Sequence, residues 1–313
     1  YYQLHYRQLT EHRTSETSNR KLATDSVTRL KVDPYHFSDN ELFSGYTYHP
    51  SEKLQLGVEG YWDFFRETDN DHYEDGMRSV YDRYHERYNT QNYKAYAAYS
   101  DSITKMQLNV SYNNENVNDK DEYEQLKHDT NQKTLKETYH TEFDYDTYLT
   151  KKIELNTGAN YSFVRNSGRY GYEDSSHSAR FTGNTLSAYA ESNFTLGESL
   201  ILDAGINVHS YHRSFPDGTR VNSFNFYPKA SLSYSWKEVN NLNVDYSTNI
   251  EEPTIWALLP FIREEAPGVF SKGSPNLKPE KNSTLSATYN YSKGDASYSF
   301  SPYYKRISDS IVS

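Results

Sequence analysis

The 313-residue sequence has no cysteine, and none of its apolar runs reaches the about 20 residues of a transmembrane helix. Without cysteine, the chain has no disulfide framework, no thiol nucleophile and no thiolate-bound zinc. Basic residues are in the minority, with 33 Lys and Arg against 43 Asp and Glu. This balance disfavours nucleic acid as a partner, because binding to a phosphate backbone requires a basic surface.

Aliphatic residues are also scarce, and the mean hydropathy is −0.97. Aromatic residues are plentiful instead: they make up 16% of the chain and include 32 tyrosines. Disordered chains are equally polar but contain few aromatic residues. A transmembrane β-barrel combines a polar, water-filled interior with tyrosine at the membrane interfaces. The composition therefore favours a barrel surrounded by outer-membrane lipid.

Polar and apolar residues alternate along most of the chain with the period of two that is typical of β-strands. In residues 54–64, for example, the apolar face carries Leu56, Val58 and Trp62. The alternation predicts which residues face lipid, namely Val58, Leu108, Leu155, Ile206 and Val244. It also predicts which residues face the lumen, namely Glu59, Asn109, Asn156, Asn207 and Asp245.

The connections between the predicted strands alternate between short and long. Short turns are predicted near residues 50–53, 102–105, 150–152, 197–199, 237–240 and 293–295. Long loops are predicted near residues 13–37, 66–91, 114–132, 166–183, 214–221 and 251–280. A soluble β-sandwich would not require this asymmetry, whereas outer-membrane barrels place short periplasmic turns opposite long extracellular loops. The sequence therefore predicts an all-β, antiparallel transmembrane β-barrel.

About thirteen strands are predicted, each about ten to fifteen residues long, which exceeds the usual five or six. Single-chain bacterial barrels normally have an even number of strands, and an open sheet edge is costly in lipid. We therefore expect residues 1–313 to be one part of a larger barrel domain.

The most distinctive segment is residues 253–280, PTIWALLPFIREEAPGVFSKGSPNLKPE. Its prolines cannot donate to a sheet ladder and so mark the points where the chain leaves and re-enters the sheet. Gly273 can adopt a positive φ at the re-entry. The residues that form this motif are Pro253, Leu259, Pro260, Gly273, Pro275, Leu277, Lys278, Pro279 and Glu280.

With the strands on either side, this motif resembles the TonB-dependent outer-membrane receptors, and within them the β-barrel branch that is common in Bacteroidetes. The sequence departs from the family pattern at Glu252, where arginine is usual, and at Ser274, where asparagine is usual. The resemblance implies a twenty-two-stranded barrel behind an N-terminal plug domain. Residues 1–313 would then cover roughly the fifth to the seventeenth strand, without the plug or the C-terminal strands. The motif itself is interpreted as structural.

The resemblance further implies active import of a scarce, bulky solute, driven by TonB through the plug and without a cofactor. Outer-membrane lipid, lipopolysaccharide and a surface lipoprotein that could form a lid are the other partners it implies. The alternative is a non-transporting barrel that serves as a structural subunit of an outer-membrane assembly. The sequence contains no signature of a hydrolase, a metalloprotease or a nucleotide-binding loop, so enzymatic activity is not predicted.

Two acidic segments are weak candidates for a metal site. Asp69, Asp71, Glu74 and Asp75 could supply carboxylate oxygens to a hard cation from one tight loop. However, Tyr73 occupies the second ligand position of a calcium loop that starts at Asp71. A solvated acidic loop explains this segment better, and the same holds for residues 118–124. No metal site is therefore predicted.

Two residues are candidates for contact with a ligand. His209 shares the polar face of its predicted strand with Asp203 and Asn207, whereas His212 lies on the opposite face unless a bulge intervenes. Trp256 lies in the proline-rich segment, and binding sites favour aromatic side chains among a few polar groups. The alternatives are a lumen histidine bonded to water and a tryptophan that packs within its loop.

Overall fold

The computed structural model describes residues 2–13, 16–21, 27–32, 35–75, 78–123, 128–172, 175–237, 239–266 and 269–309. Its strands, in chain order, are β1 (Tyr2–Arg13), β2 (Glu16–Lys21), β3 (Val27–Val32), β4 (Tyr35–Ser51), β5 (Leu54–Asp75), β6 (Arg78–Ser100), β7 (Thr104–Tyr123), β8 (His128–Thr150), β9 (Ile153–Tyr172), β10 (Ser175–Thr195), β11 (Leu200–Ser214), β12 (Arg220–Trp236), β13 (Asn240–Glu251), β14 (Ile262–Ala266), β15 (Val269–Lys272), β16 (Glu280–Lys293), β17 (Ala296–Phe300) and β18 (Tyr303–Ser308). One short helix, α1 (Ile255–Leu258), lies between β13 and β14.

Almost all of these strands belong to one antiparallel sheet. Neighbours follow chain order along the path β1, β4 to β13, β16 and β17, which gives the thirteen strands that the sequence predicts. β18 also pairs with β16, so β17 and β18 are two halves of one strand interrupted at Ser301 and Pro302. β2 pairs with β3, and β3 also pairs with residues 71–74 near the C-terminal end of β5.

In the described part of the chain, no helix combines the length and apolar character needed to cross a membrane.

The strands are much longer than predicted, and this corrects three of the predicted loops. β5 has 22 residues and β6 has 23, and they pair continuously from Leu54 opposite Tyr99 to Asp75 opposite Arg78. The predicted loops at residues 66–91, 114–132 and 166–183 are therefore mostly paired strand. Cross-strand ion pairs replace apolar contacts there, such as Lys120 Nζ with Asp129 Oδ2 at 3.2 Å.

The same correction applies to the acidic segment that was considered for a metal. Residues 69–75 are part of β5, so the segment is an extended strand and not a tight loop. Within the described residues, no group of three or more His, Asp or Glu side chains is arranged to hold a metal ion.

The sheet has two faces of opposite character. Across β5 to β9, the register aligns Val58, Ala95, Val110, Thr141 and Tyr161 on one face, on which Val58 is 54% exposed and Val110 48% exposed. The next row, one residue along, is polar and consists of Glu59, Lys94, Ser111, His140 and Ser162. We call the first face the outer face and the second the inner face. All five residues predicted to face lipid lie on the outer face.

Two clusters of aromatic rings lie on the outer face, one about midway along the long strands and the other near the short turns. The first, the loop-end belt, is formed by Trp62, Tyr93, Tyr112, Tyr139 and Phe163, with ring centroids 4.9 to 6.4 Å apart. The second, the turn-end belt, is formed by Tyr234, Trp236 and Tyr289, with centroids 5.3 and 5.8 Å apart. Apolar side chains occupy the outer face between the belts. This is the arrangement expected of two membrane interfaces.

The turn between β6 and β7 is organised by Asp101. The backbone N–H groups of Ile103 and Thr104 donate to Asp101 Oδ1 at 2.9 and 2.8 Å, and the Tyr99 hydroxyl donates to Oδ2 at 2.8 Å. These bonds stabilise the carboxylate and lower the pKa of Asp101 from its ordinary 3.8 to about 2. The turn therefore depends on an ionised carboxylate.

This pKa shift predicts a pH dependence of stability. A carboxyl group whose pKa is lower in the folded state stabilises that state above about pH 4, and the contribution is lost as the pH falls to about 2. Asp101→Asn should therefore lose less thermal stability between pH 4 and pH 2 than the unsubstituted protein loses. Thermal unfolding at a series of pH values measures this difference, and identical pH profiles would contradict the assignment.

Candidate functional site

The segment between β13 and β16 folds onto the inner face at the loop end of the sheet, and we call it the cap (residues 252–279). Pro253 is buried where the chain leaves β13, and Thr254 caps α1 by accepting a hydrogen bond from Ala257 N at 3.2 Å. Glu251 is paired with Glu280, so the cap leaves and re-enters the sheet at one position. The prolines predicted this exit and return.

Two hydrophobic clusters hold the cap on the inner face. They consist of buried residues from both sides: Tyr170, Leu259 and Phe261 in the first, and Phe181, Phe215 and Leu258 in the second. Ile255 packs against both clusters, and Leu277 packs against the second. Because both clusters lie between the cap and the sheet, burial of apolar surface is what fixes the cap in place.

Gly273 is needed for close approach of two backbones. A Cβ atom at this position would meet the carbonyl oxygen of Leu259, with those of Trp256 and Ala257 at 2.6 and 2.7 Å. Gly273 does not use the positive φ that glycine permits, since the described glycines with positive φ are at other positions. The next residue, Ser274, donates from its backbone N–H to the Ala257 carbonyl at 2.7 Å. The structure therefore requires the small size of glycine here and not its conformational freedom.

The remaining motif residues are distributed between the cap and its surface. Pro279 is buried, Pro275 and Leu277 are half-buried, and Pro260 and Lys278 are exposed. Glu280 begins β16 and accepts a hydrogen bond from Asn282 Nδ2 at 2.9 Å. The structural role of the motif remains a prediction, and these contacts within the chain agree with it.

Trp256 is half-buried and makes contacts within the cap. The Arg263 guanidinium lies 4.7 Å from the ring centroid, and the ring of Phe261 meets it edge-on at 6.3 Å. Arg263 also donates to Gln132 Oε1 on β8 at 3.2 Å. Trp256 therefore belongs to a contact network that links the cap to the sheet, and its proposed contact with a ligand remains a prediction.

A cavity of about 390 Å³ lies between the cap and the inner face. It is lined by Glu115, Lys136, Arg213, Glu252 and Leu258, among others. Arg213 is only 3% exposed, and its guanidinium lies 5.2 Å from the Phe181 ring and 4.8 Å from the Tyr211 ring. A cation that lies close to two aromatic rings at the edge of a cavity is suited to hold a polar group.

His209 lies on the inner face, as predicted, and its neighbours on the same strand are also polar. It is 6% exposed, and its Nε2 lies 4.0 Å from Glu252 Oε1 of the cap. His209 Nδ1, the Tyr211 hydroxyl and Arg213 Nη1 are buried and have no hydrogen-bond partner among the described residues. His212 is on the other face, where it contacts Asn222 and Ser214.

Tyr211 and Arg213 were missed in the sequence, although a signal for them exists. They follow His209 at intervals of two on the same strand, and this spacing puts all three side chains on one face. The sequence does not reveal where the cap lies. The cap covers this part of the inner face and thereby forms a cavity beside it.

The inner face is rich in carboxylates beyond the loop-end belt. Asp119 lies beside Glu86 and Asp121, and Thr130 Oγ1 donates to Asp121 Oδ2 at 2.6 Å. Burial, together with the charges of Glu86 and Asp121, raises the pKa of Asp119 to about 7. The loop end of the inner face therefore carries negative charge, and protonation of Asp119 changes that charge near neutral pH.

Comparisons with known proteins agree on the architecture. The model of the outer membrane protein beta-barrel family matches residues 104–313. No curated protein sequence matches the chain.

Solved structures that are similar to the chain include two receptors and a transporter. The ferric yersiniabactin uptake receptor FyuA from Yersinia pestis is 13% identical with a TM-score of 0.63, over 97% of this chain and 54% of the receptor. The alcaligin receptor FauA from Bordetella pertussis is 11% identical with a TM-score of 0.56, over 98% and 50%. The copper transporter OprC is 12% identical with a TM-score of 0.65, over 97% and 54%. The chain thus spans about half the length of these proteins, and the likeness concerns the fold.

Proposed function

Because the chain belongs to the outer membrane protein beta-barrel family and therefore lies in the bacterial outer membrane, we propose that it takes part in active import of a scarce, bulky solute. TonB would supply the energy through a plug domain. The short turns would face the periplasm and the cap the cell exterior. A surface lipoprotein is a further proposed partner.

The observation that carries this proposal is the cavity between the cap and the inner face. Its wall combines aromatic rings, a buried guanidinium and carboxylates, which is the composition of a site for a specific solute. Two polar atoms of residues that line this cavity, the Tyr211 hydroxyl oxygen and Arg213 Nη1, have no hydrogen-bond partner among the described residues, which supports a role for this wall in binding. Uptake receptors for iron complexes and a copper transporter share the fold, which supports import as the role.

The proposal is tested in cells that lack the protein. Their growth is compared when iron is supplied only as ferric siderophores, or when growth depends on cobalamin, haem or a glycan. We expect a defect on one of these sources, an equal defect when TonB is inactivated, and rescue by a plasmid copy. With the responsive source, Arg213→Gln should reduce uptake at least about tenfold, because a lost charged hydrogen bond costs about 1.5–3 kcal/mol.

The control is Lys94→Gln, which also removes an inner-face cation but acts away from the cavity, where Lys94 Nζ lies 4.0 Å from Glu59. It should keep full uptake, and heat-modifiable migration on gels shows whether both variants fold. Normal growth of the deletion strain on every source, together with co-purification in a stable outer-membrane complex, would favour the structural-subunit alternative.

A further inference from the structure

Three polar residues of the outer face form one hydrogen-bonded group, and we call it the outer triad: Ser214, His212 and Asn222. His212 Nδ1 bonds to Asn222 Oδ1, and the Ser214 hydroxyl lies 2.8 Å from His212 Nε2. Ser214 and His212 are two residues apart on β11 and so share a face, and Asn222 is directly opposite His212 on β12. A serine, an imidazole and a third group that orients the imidazole are the parts of a nucleophilic hydrolase site.

The tautomer of His212 is the one that general base catalysis requires. The amide oxygen of Asn222 can only accept a hydrogen bond, so the ring proton of His212 is on Nδ1. Nε2 then has a free lone pair, and the Ser214 hydroxyl donates to it. His212 can therefore take the proton of Ser214 when the serine oxygen attacks a carbonyl group, and Asn222 holds the ring in position for that transfer.

A cation that can stabilise an oxyanion lies next to the serine. Arg220 is directly opposite Ser214 in the register, and its exposed side chain is on the same face. Side chains that are opposite each other in an antiparallel pair begin only about 4.5–5.5 Å apart. Among the described residues, the Arg220 side chain has no ion pair and no hydrogen-bond partner. Its guanidinium is therefore available to donate to the negative oxygen that forms when Ser214 attacks.

The position of the triad in the bilayer identifies the class of substrate. His212 is in register with Phe163 of the loop-end belt, through Asn184. From Leu200, the first residue of β11, it lies about 28 Å along the membrane normal, given a rise of about 3.3 Å per residue and a strand tilt of about 45°. The apolar band of an outer-membrane barrel is about 25 Å tall. The triad is therefore at the boundary between hydrocarbon and headgroups, where the ester bonds of glycerolipids lie.

The outer face on the bilayer side of the triad can hold an acyl chain. Leu186 and Phe224 flank Ser210, which precedes His212 by two residues on the same face. They are 53% and 71% exposed, and Phe226 further along the same face is 54% exposed. Because the protein does not cover these apolar side chains, an acyl chain can lie against them while its ester carbonyl is held at Ser214.

We propose that the outer triad hydrolyses the acyl ester bond of a membrane glycerolipid. Ser214 Oγ attacks the ester carbonyl carbon and passes its proton to His212 Nε2, while Arg220 stabilises the oxyanion. The bond to the glycerol oxygen breaks, and that oxygen takes the proton from His212. Water then attacks the acyl-serine and gives a proton to His212, which returns it to Ser214 Oγ, so that a free fatty acid leaves and the serine is restored.

This activity goes beyond import and does not depend on it. No hydrolase signature marks these residues in the sequence, because the triad is completed by the pairing of β11 with β12 and such sites are recognised by geometry. In the orientation given under the proposed function, the outer leaflet supplies the substrate.

The first test measures fatty acid released from a medium-chain phosphatidylcholine in mixed micelles by the full-length protein. We expect Ser214→Ala and His212→Ala to lower kcat at least about thousandfold. Ser210→Ala, on the same strand and face, is the matched control and should keep full activity. Asn222→Ala should lower kcat at an unchanged KM, and Asn222→Asp should retain kcat, because a carboxylate oxygen accepts the same hydrogen bond. Heat-modifiable migration verifies that each variant folds.

The second test detects an activated serine directly. An alkyl fluorophosphonate bonds through phosphorus to a nucleophilic serine oxygen as fluoride leaves, and mass spectrometry of the peptide that contains Ser214 shows the adduct. The unsubstituted protein should be labelled, and His212→Ala should not be, although its serine is still present.

Three outcomes would overturn the proposal. One is neither hydrolysis nor labelling by the unsubstituted protein. Another is labelling of Ser214 at the same rate in His212→Ala, which would mean that the serine is only accessible and not activated. The third is hydrolysis that persists in Ser214→Ala. Each of these can occur whether or not the protein imports a solute, so failure here is distinct from failure of the proposed function.

Discussion

Replacing Leu108 by arginine should lower the free energy of unfolding by about 2–4 kcal/mol, because an arginine on the lipid face is most costly near the bilayer midplane. Leu108 is an exposed residue of the outer face, about midway between Tyr112 of the loop-end belt and the turn at Asp101. The folded fraction, measured by heat-modifiable migration after refolding in lipid vesicles over a urea series, gives the free energy.

Gln107→Arg is the matched control. Gln107 is the preceding residue, is exposed and lies on the inner face, where its Nε2 donates to Asn109 Oδ1 at 2.9 Å. An arginine there remains in water and should change the stability much less. Equal losses for the two variants would mean that the outer face is not in contact with lipid.

Replacing Leu259 by alanine should release the cap while the sheet stays folded. Leu259 is fully buried in the cluster with Tyr170 and Phe261. Truncation of such a leucine to alanine costs about 2–5 kcal/mol, because apolar contacts are lost and a cavity is left. Since about 1.4 kcal/mol is a factor of ten, the open population of the cap should rise at least about thirtyfold.

Limited proteolysis measures that population, because Arg263 is only 8% exposed and trypsin can cleave after it only when the cap opens. Ile262→Ala is the matched control, since Ile262 is 58% exposed in the same segment and should leave the rate of cleavage unchanged. Heat-modifiable migration should be normal in both variants. A wild-type cleavage rate in Leu259→Ala would show that the cap is not held by this cluster.

The sequence predicts the membrane-spanning part of the strands well, because lipid and water act on alternate residues. Val58 and Glu59 are separated onto two faces by the period of two alone. Beyond the loop-end belt both faces of the sheet are in contact with water. Polar and apolar residues therefore no longer need to alternate there, although the strands remain paired. Residues 114–122 therefore read as a loop and are in fact the paired end of β7.

The cap illustrates a different limit. Its prolines and Gly273 predict that the chain leaves and re-enters the sheet, and this is confirmed by the pairing of Glu251 with Glu280. The sequence does not show whether Gly273 is needed for its φ or for its missing Cβ. That depends on the groups that pack against Gly273, and these groups are distant from it in the sequence. The meeting of His209 with Glu252 is hidden in the sequence for the same reason, since the two residues lie on different elements.

The pairing of Glu251 with Glu280 makes the cap a modular insert. Both of its ends occupy one rung of the ladder between β13 and β16, so its length and content can vary without any shift of strand register. The entropy of closing a longer segment grows only slowly, by about 0.6 kcal/mol for each doubling of length. Related barrels with the same strands can therefore differ in this one segment, and with it in what covers the interior of the barrel.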